Sequence, residues 1–398
     1  MAAIRVSANG RHFVDERGDP FFWLGDTLWE LFRSFTPEDA RAILMRRKQQ
    51  GFTVVQVMLV RYSPDKMANV AGELPWRGND PAFPNEAYFR NVNRVLGYVR
   101  ELGLIIILGV YHKVHRATLT VEKARTYARW VSQRYADVPN IVWTMYPEAK
   151  DEYIPVIREL VAGLQEGDGG AHMITMHPDP SPASSSFMHN EDWLAFNMIQ
   201  PWQSYELQYP MVTADYRREP PKPVIMAEGG YEGVHFTKVH APWLIRRQAY
   251  WAYLAGGFHT YGHANSHLAP PETWRFWIDS PGAIQMGVCR QILTGLPEWW
   301  NLVPDQSLFA SGAGSGMTLN VAARCPSAGW ALAYLSSSTT VSVRLERAAA
   351  GRPTVASWVQ PTTGARTEIG PVPGAGAKPF STPDGWEDAL LLFERRQG

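Results

Sequence analysis

Cysteine is nearly missing from this chain: Cys289 and Cys325 are the only two in 398 residues. That excludes a disulfide framework and a cysteine-rich zinc module. Net charge is missing too. Lysine plus arginine and aspartate plus glutamate number 38 each, so no large field of one sign draws the chain to nucleic acid or to an anionic membrane. No hydrophobic run approaches the length of a membrane span. The opening Met-Ala-Ala-Ile-Arg-Val-Ser lacks the segments of a secretory leader. The expectation for the chain as written is therefore the cytoplasm, or secretion if a leader has been removed. Neither a Gly-Lys-Ser/Thr phosphate loop nor a dinucleotide fingerprint occurs, and no cofactor is expected.

Aromatic residues, by contrast, are plentiful. Sixteen Trp, 16 Tyr and 16 Phe make up 12% of the chain. Flat apolar faces with polar tips suit amphipathic ligands such as sugars, although many of these rings serve simply as core.

Secondary-structure signals alternate regularly. Asn9-Gly10 and Gly18-Asp19 mark small hairpins between Ile4 and Phe22. Apolar runs then end at Asp26, Leu59, Tyr111, Tyr146, His177, Gln200, Glu228 and His263, the pattern of buried parallel strands. Between them lie helical stretches. Thr36 with Pro37, Glu38 and Asp39 reads as a helix start, and Phe89, Val92, Val95, Leu96, Val99 and Leu102 form an apolar stripe stopped by Gly103. A final helix is expected over Ala283 to Trp300. Eight strands alternating with helices predict a (β/α)₈ TIM barrel, an α/β fold of about 250 residues, over residues 1–304. After Pro304 helical periodicity gives way to short alternating segments with Gly, Pro and Ser clusters. Residues 305–398 are expected to form a small antiparallel β-sandwich, an accessory that packs on the barrel or a carbohydrate-binding module.

Working groups of such barrels sit where strands stop. Glu148 follows the fourth strand and Glu228 the seventh, where Gly229 and Gly230 come next. Two carboxylates facing one mouth are what glycoside hydrolysis needs, one to protonate the leaving oxygen and the other to attack the anomeric carbon or activate water. The plain alternative is a pair of strand-end glutamates that accept backbone hydrogen bonds. Asp26 either holds sugar hydroxyls or caps a turn. Trp29, Tyr111, His112, Trp143 and Tyr146 fall at or near the same mouth, as do His177, Gln200, Trp202, Tyr231, Tyr261 and His263; each lines a substrate cleft or is a satisfied core group. His259, His263 and His267 are four apart, but the surrounding glycines argue against a helix that would present them to zinc, and no metal site is expected.

Several dispersed segments carry a family likeness: Phe22-Trp23-Leu24-Gly25-Asp26-Thr27, Phe83-Pro84-Asn85-Glu86-Ala87-Tyr88-Phe89, Glu166-Gly167-Asp168-Gly169-Gly170, Phe196-Asn197-Met198-Ile199-Gln200, Lys222-Pro223-Val224 with Glu228, and Tyr261-Gly262-His263. Together, in order along the barrel, they resemble the apiosidase-like glycoside hydrolases. The resemblance implies a retaining barrel enzyme acting on plant cell-wall glycans, with an acid/base after the fourth strand, a glutamate nucleophile after the seventh and a small C-terminal β domain. Glu228 matches the nucleophile position. Tyr146-Pro147-Glu148 stands where the family pattern has Gly-Gly-Asp, so Glu148 takes the acid/base place in a differently shaped loop, and apiose as the sugar follows less directly than hydrolysis. To act as an acid near neutral pH Glu148 needs a raised pKa, for which Tyr146 and Trp143 are expected to form a dry wall. The partner expected is a carbohydrate. Other readings are a glycosidase for arabinosides or xylosides and a carbohydrate-binding barrel without catalysis.

Overall fold

The structure, a computed structural model, describes residues 3–60, 67–148, 150–235, 238–349 and 354–395. Met1 and Ala2, the start of the stretch searched for a leader, lie outside these. Short antiparallel strands at Ile4–Val6, Phe13–Asp15 and Pro20–Phe21 form the N-terminal hairpins. Gly10 and Gly18 take φ of +69° and +89° at their turns, a region open to glycine at no steric cost.

Eight parallel strands follow: β1 (Leu24–Thr27), β2 (Val54–Met58), β3 (Ile105–His112), β4 (Ile141–Tyr146), β5 (Ile174–Met176), β6 (Asn197–Ile199), β7 (Val224–Met226) and β8 (Phe258–Gly262). Their order in the sheet is β5-β4-β3-β2-β1-β8-β7-β6. The ladder is open between β5 and β6, where the Thr175 hydroxyl donates to the Phe196 carbonyl at 2.8 Å and Ala195 N–H to the Ile174 carbonyl at 2.9 Å. These bonds bring the sheet close to a closed barrel.

Helices α1 (Pro37–Gln49), α2 (Glu86–Glu101), α3 (Val121–Arg134) and α4 (Ile154–Asp168) follow β1 to β4. After β5 comes only a single turn, Ser185–Met188, and then α5 (Tyr205–Tyr216), α6 (Pro242–Leu254) and α7 (Pro281–Thr294) follow β6, β7 and β8. The caps act as the sequence indicates. Thr36 Oγ1 accepts the Asp39 N–H at 3.1 Å, and the stripe Phe89, Val92, Val95, Leu96 and Val99 is buried against the barrel. Each such side chain contributes about 1.5–3 kcal/mol on leaving water. One expectation is corrected: α7 stops at Thr294, and Trp299–Asn301 is a separate 3₁₀ turn. Gly295 and Pro297 lie between them, and a proline there removes a helical donor and clashes with the preceding turn.

From Val303 on, the described strands form two antiparallel sheets, one of six strands and one of three. Val341, Val343 and Phe380 of the smaller sheet pack against Ala331, Leu391 and Phe393 of the larger, a sandwich core. The larger sheet also turns toward the barrel, where Val321, Leu332 and Leu390 share a cluster with Ile245, Ala249 and Met286.

Candidate active site

The backbone leaves β7 at Met226 and presents Glu228 at the barrel mouth. Glycines are required immediately after it, because a Cβ on Gly229 would collide with Gln248 and one on Gly230 with Tyr205 and His240. Gln248 in turn accepts the Gly230 N–H at 2.6 Å and donates to its carbonyl at 3.0 Å. The turn that carries Glu228 is therefore held from behind by α6.

Glu228 is buried, and its partners are neutral. The Tyr146 hydroxyl lies 3.3 Å from Glu228 Oε2 and 2.6 Å from Gln200 Oε1. Tyr231 and Gln200 also hydrogen-bond the carboxyl, and Trp29 Nε1 donates to the Tyr231 hydroxyl at 3.0 Å. His177 Nε2 lies 3.5 Å from Oε2. Its Nδ1 is 3.0 Å from the Pro178 carbonyl, which can only accept, so Nδ1 carries the proton and Nε2 offers a lone pair. Burial pushes the Glu228 carboxyl up to about 7, with Asp179's charge adding to the rise and the tyrosine and glutamine hydrogen bonds opposing it. Burial also lowers His177 to about 4 and His112 to about 3, so both imidazoles are neutral in neutral solution.

In front of Glu228 opens a cavity of about 390 Å³ lined by Trp29, Met58, His112, Lys113, Tyr146, Asp179, Pro180, Gln200, Trp202, Tyr231, His235, His267 and Leu268. Aromatic faces surround it. Tyr146 lies 4.8 Å from the His112 ring and 5.9 Å from Trp29, and Tyr231 stacks on His235 at 5.0 Å. Trp202 takes a left-handed φ of +47°, strained for a large side chain. Its N–H donates to the Glu228 carbonyl at 3.2 Å, so the strained residue and the carboxylate are tied through backbone. A second cavity, of about 40 Å³, lies among Phe22, Tyr253, Trp299 and Trp330 and contains no carboxylate.

Glu148 stands beside the cavity of Glu228 rather than in its wall. Lys150 binds one of its carboxyl oxygens, and Lys113 Nζ lies 3.5 Å from the other. The Lys150 hydrogen bond holds the Glu148 carboxyl below the usual range and Lys113 adds to the effect; burial opposes this without prevailing. The dry wall expected to raise Glu148 is thus not formed around it; Tyr146 faces Glu228 instead. Lys113 also contacts Asp179, whose charge reaches both Glu228 and Tyr146.

Of the residues expected at the mouth, Trp29, His112, Tyr146, Gln200, Trp202 and Tyr231 line the cavity with Glu228, and His177 lies behind the carboxyl. Five lie elsewhere, mostly because successive side chains on a strand point to opposite faces. Asp26 is fully buried against Arg47 of α1, with Nε to Oδ2 at 2.6 Å, so it neither meets sugar nor caps a turn. Tyr111 packs in the layer between barrel and helices. Trp143 occupies the same layer and donates to Asp168 of α4 at 2.9 Å. The Tyr261 hydroxyl donates to Glu232 at 2.6 Å beside Ser280, and His263 stacks on Trp277 with ring centroids 5.7 Å apart. The three histidines four apart also separate: His259 is buried, His263 meets Trp277 and His267 reaches the cavity. Among the described residues no group of three or more His, Cys, Asp or Glu is placed to hold a metal ion. No helix of the described residues is long and apolar enough to cross a membrane.

Sequence reasoning did not find Met58, Lys113, Asp179, Pro180, His235, His267 or Leu268. Lys113 directly follows a strand end and Asp179 lies three residues past another, which is the only signal they carried. His235 belongs to an excursion between β7 and α6 that includes strands Gly233–His235 and Lys238–His240, and nothing in its sequence points it back at the mouth.

A family model described as "Apiosidase-like, catalytic domain" matches residues 7–301, and one described as "Putative collagen-binding domain of a collagenase" matches residues 303–394. No curated protein matches the chain. Among solved structures, one titled simply a glycoside hydrolase is 24% identical with a TM-score of 0.90, covering 99% of this chain and 97% of its own. A structure titled as a glycoside hydrolase family 5 protein from Bacteroides vulgatus is also 24% identical with a TM-score of 0.90, covering 99% of this chain and 93% of its own. A β-L-arabinopyranosidase from Geobacillus stearothermophilus shares the fold more distantly, at 14% identity and a TM-score of 0.59, with 94% of this chain and 97% of its own covered. These likenesses bear on the fold, whereas the first family model spans most of the chain and its catalytic unit. The chain belongs to the apiosidase-like family and is a glycoside hydrolase.

Proposed function

We propose that the chain hydrolyses the O-glycosidic bond of a plant-derived glycan or glycoside with retention of configuration, with Glu228 as nucleophile and Glu148 as acid/base. The observation that carries the reading is Glu228 itself: a buried carboxyl that walls a sugar-sized aromatic cavity and is held by Tyr146, Tyr231 and Gln200. In the first step Glu228 attacks the anomeric carbon, the bond to the leaving oxygen breaks, and Glu148 gives that oxygen a proton. In the second, Glu148 takes a proton from water, the water oxygen bonds to the anomeric carbon, and Glu228 is released.

The two carboxyls must hold one proton between them for the first step. In the empty cleft burial keeps that proton on Glu228 up to about pH 7, while Lys150 and Lys113 keep Glu148 ionised. The working form is therefore the minor arrangement of a singly protonated pair, and kcat/KM follows the pair's two macroscopic steps rather than either residue. It falls above about pH 7, where the pair loses its proton, and falls again in acid, where the pair gains a second.

Phenyl glycosides of apiose, arabinose and xylose, each in both anomers, identify the sugar. Proton NMR of the first product formed then reads the stereochemistry. The substrate's own anomer supports the reading, and the opposite anomer contradicts retention. Turnover of the apioside favours a plant-derived substrate; turnover confined to the arabinoside or xyloside favours the other specificities. Binding of all three without turnover of any contradicts the catalytic assignment.

A further inference from the structure

Two charged side chains of the cleft neither give nor take a proton in the steps above. Lys113 opens a turn after β3, and Asp179 stands just past β5. Between those strands, β4 leads to Glu148, so three neighbouring strands deliver a carboxylate, an ammonium and a second carboxylate to one side of the mouth. Lys113 Nζ contacts Asp179 Oδ2 and lies 3.5 Å from Glu148 Oε1. Lys113 and Asp179 wall the cavity, and Glu148 adjoins it through Lys113.

We propose that Lys113 and Asp179 are positioning residues for the reaction, which couple Glu148 to Glu228 by sharing one ammonium across the side of the cleft. The inference rests on the reading that Glu228 and Glu148 divide the chemistry. Among the described residues, the charged and titratable groups facing the bridge fit it. Lys150 contacts Glu148 from its own loop. Neutral His112 adjoins Lys113, and Tyr146, Tyr231 and neutral His177 surround Glu228. Among the described residues, Lys113 therefore supplies the cation that faces the cavity between the two catalytic carboxyls, and Asp179 supplies the anion that draws it there.

The charges act with definite signs. The Lys113 ammonium favours the bare form of Glu148, and the Asp179 carboxylate opposes the bare form of Glu228, an opposition Lys113 screens. Without the ammonium both catalytic carboxyls hold their protons to higher pH. Without the Asp179 charge Glu228 releases its proton sooner, and Lys113 turns wholly to Glu148, which does the same. One geometry thus requires opposite displacements from two substitutions.

The test is the pH dependence of kcat/KM on the phenyl glycoside that turns over, whose leaving oxygen needs a proton, for wild type, K113M, K113R and D179N, with circular dichroism at each pH. K113M is expected to move both limbs of the profile to higher pH and D179N both to lower pH. The ratio of kcat/KM at pH 8 to that at pH 6 then changes on the order of fivefold in opposite directions. K113R, which keeps the charge, is expected to restore the wild-type limbs whatever its rate. Should K113M prove unstable, D179N alone must still lower both limbs. If E228Q and E148Q lose turnover while the limbs stay put in K113M and D179N, the inference falls and the catalytic reading stands. If E228Q turns over normally, the reading falls and takes the inference with it.

Discussion

Two buried carboxylates, one at the barrel mouth and one at the seam with the sandwich, show what a cation does. Asp388, at the seam between barrel and sandwich, faces Arg246 of α6 in a paired contact, Nε to Oδ2 and a terminal nitrogen to Oδ1, both at 2.7 Å. Tyr334 donates to it at 2.6 Å, and Gln285 of α7 accepts from the same guanidinium at 2.6 Å. Glu228, at the mouth, is comparably buried but meets tyrosines, a glutamine and a neutral imidazole. The seam neutralises its charge and becomes structure. The mouth leaves its carboxyl uncompensated, raised to about 7, so that it exchanges its proton near neutral pH, as groups at functional sites do.

The largest effect expected from breaking this contrast is at the mouth. E228Q is expected to lower kcat by roughly 10³-fold or more, read on the phenyl glycoside, with the circular dichroism spectrum unchanged. It also has a stability consequence. A carboxyl whose folded-state pKa is raised stabilises the fold fully below its unfolded pKa, and that stability is lost as pH rises toward about 7. E228Q is therefore expected to melt above wild type at pH 8 and to lose most of that advantage at pH 5, and thermal melts at the two values check the sign.

At the seam the loss is in stability instead. D388N takes the buried anion from Arg246 and leaves it only the exposed Glu387 carboxylate at 3.2 Å, at a cost of up to about 3–5 kcal/mol, so the Tm is expected to fall while kcat at a temperature where the variant is folded stays near wild type. An equal loss of kcat would mean that the seam is not merely structural. E148Q is expected to reduce turnover of phenyl glycosides roughly 10²-fold and that of dinitrophenyl glycosides much less, because a good leaving group needs no proton. A smaller change is expected from Y231F. Losing a hydrogen bond that favours the ionised Glu228 should move the upper limb of the kcat/KM profile to higher pH, with a rate loss of about tenfold.

How much of this was legible depends on which physical rule set each feature. Strand ends were legible because continuous apolar runs and helix stops mark them, and Glu228 followed from such a run closing on two glycines. Side-chain direction was not. Tyr111 and His112 are adjacent, yet one enters the outer layer and the other the cavity. Parity along β3 is further shifted by an irregularity in pairing between Gly109 and Tyr111, which no periodicity reveals. Asp26 and Trp143 failed for the same reason, each facing a helix across the barrel wall. Lys113 and Asp179 were hidden differently. Their meeting depends on loop paths after β3 and β5, and single charged residues in loops carry no periodic signal. The electrostatic state of Glu148 was equally out of reach, since it follows from how the loop folds Lys150 back onto the carboxyl and brings in Lys113 from 35 positions earlier in the chain.

The central claim is that Glu228 bonds to the sugar. Incubation with a 2-deoxy-2-fluoro glycoside of the sugar found by the panel, bearing a dinitrophenyl leaving group, followed by intact mass and peptide mapping, tests it most directly. The account expects one fluoroglycosyl adduct per chain, on the peptide containing Glu228 and absent from E228Q. An adduct on Glu148, Asp179 or another residue would contradict it.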